Sequence, residues 1–519
     1  MTFSDLLDNQ SFRLSQVESS EEVKPAEANK TTVTKKIPIF GSGIPSDANV
    51  GLVNIGEDEV EGWRAVEVKF QKVSKRPRWK KLFPEWIDEE EVKETPSCPE
   101  IPMPDFSQYA EVDAVVARLP CRYPKAGWAR DVFRLQVHLA AANLAVWRAR
   151  RDGGGRVKLA FLSSCQPMME LFRIDDLVAR EGDWWLYESD LRRLQLKVAM
   201  PVGSCRLALP LRGESPNSVA DQSQREAYAT VLHSSESYVC GAIVLAHSIR
   251  RSGSRRDLVL LHDKSLSDAK RRALAAAGWK LRMIKRIRNP HAKKFTYNEY
   301  NYSKLRLWLL TDYDKVVFVD ADAAVLRNVD HLFEMPEMSA AGNDGVLFNS
   351  GVMVIEPSNA TFSVLMKRRD EIVSYNGGDQ GFLNEAFVWW HRLSHNVNYL
   401  KIFPENTTSE ALHKNRLFGA DPPELHVVHY LGQKPWLCYR DYDCNWNIPG
   451  GVIYASDEAH RTWWRLHDNI APALRRFCRL PQWRKSELNE ERKAAEAAGN
   501  PDGHWKIEIA DRRRRWERQ

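Results

Sequence analysis

The sequence has no run of about eighteen apolar residues, so nothing in it is long enough to cross a bilayer as a helix. Its opening residues, MTFSDLLDNQSFRLSQVESSEEV, lack the basic-then-apolar order of an export signal. As written, the chain is expected to carry neither leader nor anchor. Its eight cysteines (Cys98, Cys121, Cys165, Cys205, Cys240, Cys438, Cys444 and Cys478) include no C-x-x-C pair and no zinc-ligand spacing, which argues against a zinc module. Most are expected to be isolated buried thiols, although Cys438 and Cys444 are close enough to pair in an oxidising compartment. An excess of one charge is also missing. The net charge is only +6, with 75 basic and 69 acidic residues interspersed, so an extended nucleic-acid footprint is not expected. The one strongly basic run is Arg512–Arg515, and binding through it would be steeply salt-dependent.

What is present suffices for folded domains. Hydrophobic residues make up 43% of the 519, enough for two or three cores. Tryptophans set among charged residues (Trp184, Trp185, Trp389, Trp390, Trp463, Trp464) are expected in cores or rims, with carbohydrate platforms as the sharper alternative. Sequons at Asn9, Asn29, Asn301, Asn359 and Asn406 permit a secretory route without requiring it.

Along the chain, residues 1–103 read as a polar tail and linker, with 51–100 as an exposed arm. Residues 104–215 form an N-terminal accessory α/β segment: a helix over 130–150 stopped by Asp152-Gly-Gly-Gly-Arg156, then a strand Val157–Ser163. A linker over 214–224 follows. Residues 225–446 alternate strand and helix: strands at Ala227–Leu232, Asp257–Leu261, Trp279–Arg286 and Lys315–Val319, helices at Ser237–Arg251, Ser267–Ala277 and Lys304–Thr311. That pattern predicts an α/β fold with a mostly parallel sheet, which binds ligands at its carboxyl strand ends. Residues 447–519 read as a charged extension, with a solvated helix and tail over 479–519.

Four motifs fall in the alternating region. Val316-Val-Phe-Val-Asp-Ala-Asp322 is a buried strand followed by Asp320 and Asp322, spaced so that both carboxylates can meet one hard divalent cation. Asn349-Ser350-Gly351 places polar groups in an apolar strand, as a ligand-facing kink or as a bulge. Asn376-Gly377-Gly378-Asp379-Gln380-Gly381 brings backbone close to a ligand, or caps a helix, or both. His429-Tyr-Leu-Gly432-Gln-Lys434 follows an apolar run. Its imidazole can complete a metal's coordination and Lys434 can meet a phosphate.

In this order, together with AYATVLHSSESYVCGAIVLAHSIR and Lys304-Leu-Arg, these motifs resemble the family 8 glycosyltransferases, the glycogenin-like group with a GT-A fold. The resemblance implies that Asp320, Asp322 and His429 hold Mn²⁺ under the diphosphate of a UDP-sugar, with Ala321 and Gly351 at the same turns. It implies that Gly432 and Lys434 contact phosphate and that Val231 and Tyr238 lie near uracil. Lys304, Asn349, Ser350, Asn376, Gly377, Gly378, Asp379 and Gln380 would surround the donor sugar, with Lys304, Asp379 and Gln380 as the catalytic set. It also implies retention of anomeric configuration by front-face displacement. Residues 401–428 contain no tyrosine, which speaks against self-glucosylation. Asn376 stands where the family often has an acid, a change that suits a negatively charged donor such as UDP-glucuronate.

The segments PDFSQYAEVDAVVARLPCR, AFLSSCQPMMELFR and GDWWLYESDLRRLQLKVAMPVGSC are similar to the plant glucuronosyltransferases that decorate xylan. That likeness implies UDP-glucuronate as donor, xylan or a xylo-oligosaccharide as acceptor, an α-1,2 branch, and a Golgi enzyme with a type II anchor; the anchor's apparent absence is expected to reflect a truncated N-terminus. Homo- or hetero-oligomerisation is left open. The alternatives are a glucosyl- or galactosyltransferase of the same fold, and a non-catalytic sugar-binding relative.

Overall fold

Two helix-covered sheets organise the chain. The computed structural model describes residues 44, 47–60, 63–75, 77–85, 87, 89, 98–152, 155–210, 225–343 and 346–514. Residues 1–43 of the expected tail, the sequons Asn9 and Asn29, and the linker over 214–224 lie outside them.

The first sheet contains β1 (Asn49–Val53), β2 (Arg64–Glu67), β3 (Ala114–Arg118), β4 (Arg156–Leu162), β5 (Leu177–Glu181) and β6 (Trp184–Asp190), in the order β2-β1-β3-β4-β6-β5. The first four pair in parallel, while β6 is antiparallel to both β4 and β5. The runs VGLV of β1 and LAFL of β4 are continuously apolar and buried, as strands covered on both faces are. One face receives the helix Val132–Asp152, whose Leu135, Leu139, Ala142 and Val146 recur at helical spacing and are buried. This corrects the reading of 51–100 as an exposed arm: Val50, Leu52 and Val53 are at 0% exposure, and β1 pairs with β3. The partner lies some sixty residues away, so the local mixture of charges did not reveal the strand.

The second sheet contains β7 (Glu226–Leu232), β8 (Asp257–His262), β9 (Lys280–Met283), β10 (Lys315–Val319), β12 (Ser339–Gly342), β13 (Phe348–Ile355) and β14 (His391–Leu393), ordered β14-β12-β13-β10-β7-β8-β9. Strands β10, β7, β8 and β9 run parallel, and β13 lies antiparallel on β10. The α/β arrangement expected from the alternation is therefore present, with the helices Val239–Arg251 and Asp268–Ala276 as crossovers. A third, small sheet joins β11 (Ala323–Val325), β16 (Val427–His429) and β15 (Tyr399–Leu400) in that order.

The helix expected over Lys304–Thr311 is instead a 3₁₀ segment, Tyr297–Leu309. Tyr302, Leu305 and Trp308, all at 0% exposure, recur every three residues, which is the period of a 3₁₀ turn. Asn298, Asn301 and Lys304 form a second line at the same spacing.

The two large sheets are joined through buried polar contacts. Glu170 Oε1 accepts from the Val388 and Trp389 N–H groups at 2.8 and 3.1 Å. Arg193 and Arg173 pair with Glu356 at 2.9 and 3.4 Å. Burial would raise the Glu356 carboxyl, but Lys315, Arg193, Lys197 and Arg173 hold it down at about 2.

Two sequence expectations are corrected, for the cysteines and the C-terminal extension, and for the tryptophans the core reading holds over its alternative. All eight cysteines are paired, as Cys98–Cys205, Cys121–Cys165, Cys240–Cys478 and Cys438–Cys444, so isolated thiols were the wrong expectation. Three of those partners are 44 to 238 residues apart, beyond what local spacing reveals. The six tryptophans considered as sugar platforms are at most 5% exposed and belong to cores. The C-terminal extension is not merely solvated. Arg513 lies 4.4 Å over the Trp464 ring and donates to the carbonyls of Trp436, Cys438 and Cys478, and Arg484 is 2% exposed. Among the described residues no helix is long and apolar enough to cross a membrane.

Candidate active site

The buried strand β10 ends at Val319, and the chain turns at its carboxyl end. The Asp320 N–H donates to the Gly351 carbonyl at 2.9 Å, and the Ala323 N–H donates back to the Asp320 carbonyl at 3.0 Å. Strand β11 then pairs antiparallel with β16, with Ala323 opposite His429, which brings the imidazole beside the Asp320-Ala-Asp322 turn. One ligand atom from each of Asp320, Asp322 and His429 lies within 4.8 Å of the others, the one such group of three among the described residues. Asn398 Oδ1 sits 3.1 Å from His429 Nδ1, which orients the ring with Nε2 toward Asp322, 3.4 Å away. Gly351 is required by that ring, since a Cβ there would stand 2.5 Å from it. Two carboxylates and one oriented imidazole fit a divalent first-row cation.

Two lysines balance the acids. Lys434 Nζ is 2.7 Å from Asp322 Oδ2, and Lys304 Nζ is 2.6 Å from Asp379 Oδ2 and 3.5 Å from Asp320 Oδ2. Burial pushes the Asp320 carboxyl up to about 6; Lys304 opposes this and the nearby Asp322 charge adds to it. Burial acts the same way on Asp322, but Lys434 and His429 outweigh it and hold that carboxyl well below the usual range. Lys304 keeps its proton firmly: burial alone would lower it, and Asp320 and Asp379 together raise it. The two aspartates are thus placed in different electrostatic surroundings by different lysines.

The other motifs close round this centre. Ser350 Oγ donates to Asp379 Oδ2 at 3.2 Å and the Ser350 N–H to Gln380 Oε1 at 3.1 Å, locking strand β13 to the start of the helix Asp379–Ala386. Asn349 Oδ1 accepts from the Gly351 N–H and from Asn398 Nδ2, both at 2.8 Å. Asn376 Oδ1 accepts from Ser374 Oγ, the Gly378 N–H and the Gly381 N–H. A cavity of about 320 Å³ opens at the strand ends between these elements.

Residues 21–205 match the family described as GUX1-5 N-terminal domain, and residues 229–344 match Glycosyl transferase family 8. The chain is 58% identical over 480 residues to UDP-glucuronate:xylan alpha-glucuronosyltransferase 2 of Arabidopsis thaliana, covering 90% of this chain and 80% of that protein. It belongs to glycosyl transferase family 8. Human glycogenin-1 is 32% identical over 275 residues, covering 49% of this chain and 75% of that one. Among solved structures, a galactosyltransferase in complex with donor and acceptor sugar analogs is similar at 16% identity and TM-score 0.33, covering 48% of this chain and 99% of that one.

Of the residues that the family 8 resemblance brought forward, Val231, Tyr238, Lys304, Asp320, Ala321, Asp322, Asn349, Ser350, Gly351, Asn376, Gly378, Asp379, Gln380, His429 and Lys434 all line the cavity. Gly377 and Gly432 are not among its lining residues. The Gly377 carbonyl accepts from Asn289, while Gly432, at φ 73°, packs so closely on Asn445 that a Cβ would lie 2.5 Å from its Oδ1. Sequence reasoning missed Leu232, His233, Tyr297, Asn298, Asn301 and Leu431, which also line the cavity. The three-residue spacing of Asn298, Asn301 and Lys304 was the available signal for two of them. Asn301 is 6% exposed, so its sequon is internal, and its Oδ1 has no hydrogen-bond partner among the described residues.

Proposed function

We propose that the chain transfers glucuronic acid from UDP-glucuronate to xylan, with retention, forming an α-1,2 branch. The observation that carries this is the convergence of Asp320, Asp322 and His429 with the Lys304–Asp379 pair in one cavity at the sheet's carboxyl ends. The donor set is suited to Mn²⁺, which when bound supplies Lewis-acid charge against the diphosphate of the departing UDP. Lys434, already 2.7 Å from Asp322, adds a cation on the same side. Lys304, Asp379 and Gln380 are fixed by one another and by Ser350, so they would present a rigid wall to the donor sugar.

The donor's acid group is favoured by Asn376. Three donors occupy its Oδ1, which leaves it only N–H to offer the cavity, and no negative charge. The name of the relative at 58% identity supports the same donor and acceptor. Four disulfides fit the oxidising lumen of the secretory route, in keeping with work in the Golgi.

The test is UDP release by the purified chain with Mn²⁺, comparing UDP-glucuronate with UDP-glucose, each with and without xylo-oligosaccharide. Turnover should need both UDP-glucuronate and the xylan fragment, and should stop on chelation. Preference for UDP-glucose would replace this reading with that of a glucosyltransferase of the same fold.

A further inference from the structure

Among the described residues five aromatic side chains are strongly exposed, and three of them, unlike Tyr123 and Trp483, lie on loops beside the cavity. Phe295 is 98% exposed, Tyr297 82% and Tyr375 49%. Phe295 lies on the loop that leads into the 3₁₀ segment, Tyr297 is the first residue of that segment, and Tyr375 is on the turn before the helix Asp379–Ala386. Both loops border the donor cavity, which Tyr297 itself lines. They are also tied together, since Asn289 Nδ2 donates to the Gly377 carbonyl at 2.9 Å. Tyr375 holds its hydroxyl 2.8 Å from Gln380 Nε2, and Tyr297 shares the cavity wall with Tyr238.

Phe295 gains no burial from folding, yet its backbone sits at φ 64°, a left-handed conformation that a bulky side chain resists. Its N–H is held by Glu299 Oε2 at 2.7 Å, and the Asn289 N–H is held by the Glu299 carbonyl at 2.8 Å. The loop therefore keeps an unburied ring in one place on a braced frame. One turn further on, Asn301 lines the cavity with an unpartnered, buried Oδ1, an acceptor suited to a ligand rich in hydroxyls.

We infer that Phe295, Tyr297 and Tyr375 form the platform on which the acceptor glycan lies, with Phe295 stacking against a sugar unit beyond the one that receives the transferred residue. A flat β-linked chain presents its C–H faces to such rings. Its attacking hydroxyl must reach the cavity where Lys304, Asp379 and Gln380 meet, and the rings flank that approach. This inference rests on the acceptor named above being a glycan chain.

Phe295→Asn removes the ring while keeping a residue that tolerates positive φ. With the full chain, calorimetric titration of xylohexaose should show binding weakened roughly three- to tenfold in Phe295→Asn, and restored in Phe295→Trp. UDP affinity, acceptor-independent UDP-glucuronate hydrolysis and Tm should stay at wild-type values. Equal xylohexaose affinity in wild type and Phe295→Asn would overturn the platform while leaving the transferase reading intact. A falling Tm with loss of UDP binding would make the ring structural and overturn it too. A wild-type chain that binds UDP but not xylohexaose would overturn both the platform and the xylan acceptor, and leave the donor site standing.

Discussion

The two sheets are built alike and finish differently. In each, neighbouring parallel strands run between helices and end on the same side. After β3 and β4 the chain places Cys121 and Cys165, and a disulfide closes the strand ends; Asn54, at φ 56°, adds its side chain to the Arg118 carbonyl at 2.8 Å. After β7 and β10 it places His233 and Asp320, and a cavity of about 320 Å³ opens instead. The same position in the architecture is stapled in one sheet and left concave and charged in the other. The chemistry thus belongs to the residues at the strand ends and not to the sheet.

That separation is broken most severely at the proposed metal site. Asp322→Ala should lower transfer by roughly a thousandfold or more, because the diphosphate loses its charge partner. β10 and its neighbours keep their packing, so the variant should still fold, with Tm lowered because Lys434 loses its buried partner; full activity in Asp322→Ala would remove the metal assignment. Stability should respond at the other sheet. Cys121→Ser with Cys165→Ser reopens a 44-residue separation and should cost about 3 kcal/mol in denaturant unfolding, with kcat of the folded enzyme unchanged. A matching fall in kcat would mean the first sheet contributes to the site.

The two sheets were also unequally legible. The second could be read because its motifs are local: an apolar strand ending in Asp320-Ala-Asp322, or a Gly-Gly pair before Asp379, declares itself within seven residues. The first was read only in part. Its β1 depends on β3, and its disulfides join residues far apart, so no window of sequence contained both partners. Within the site, the residues that sequence reasoning missed act through tertiary position. Asn398 lies at the end of a short 3₁₀ turn with no motif round it, yet it orients His429 and anchors Asn349.

Asn398 therefore offers a smaller, sharper break. Asn398→Ala should weaken Mn²⁺ binding about 10- to 100-fold in a metal titration, because the imidazole loses the group that fixes its tautomer. Saturating Mn²⁺ should restore most of kcat. An unchanged metal affinity would show that packing against Gly351 alone orients the ring.

The smallest effect compares how the two regions respond to acid. Each buries a neutral imidazole. His138, under the first sheet, accepts from the Met168 N–H at 3.1 Å, and His460, beside the catalytic region, has its Nε2 2.9 Å from the Tyr439 carbonyl and 3.0 Å from Trp464 Nε1. Burial lowers both; the nearby Arg134 charge adds to the effect at His138, while His460 settles at about 4. The unfolded imidazoles take up protons near 6.5, where the folded ones do not. Their stabilising contribution is therefore complete above that pH and is lost as the pH falls below it, for His460 down to about 4. Between pH 6.5 and 5.5 each should remove on the order of 1 kcal/mol. His138→Gln and His460→Gln should each flatten the dependence of unfolding free energy on pH over this interval. If only His138→Gln does so, acid loosens the stapled sheet first and the catalytic sheet keeps its fold, whereas a slope unchanged in both variants would assign acid sensitivity to the buried carboxylates instead.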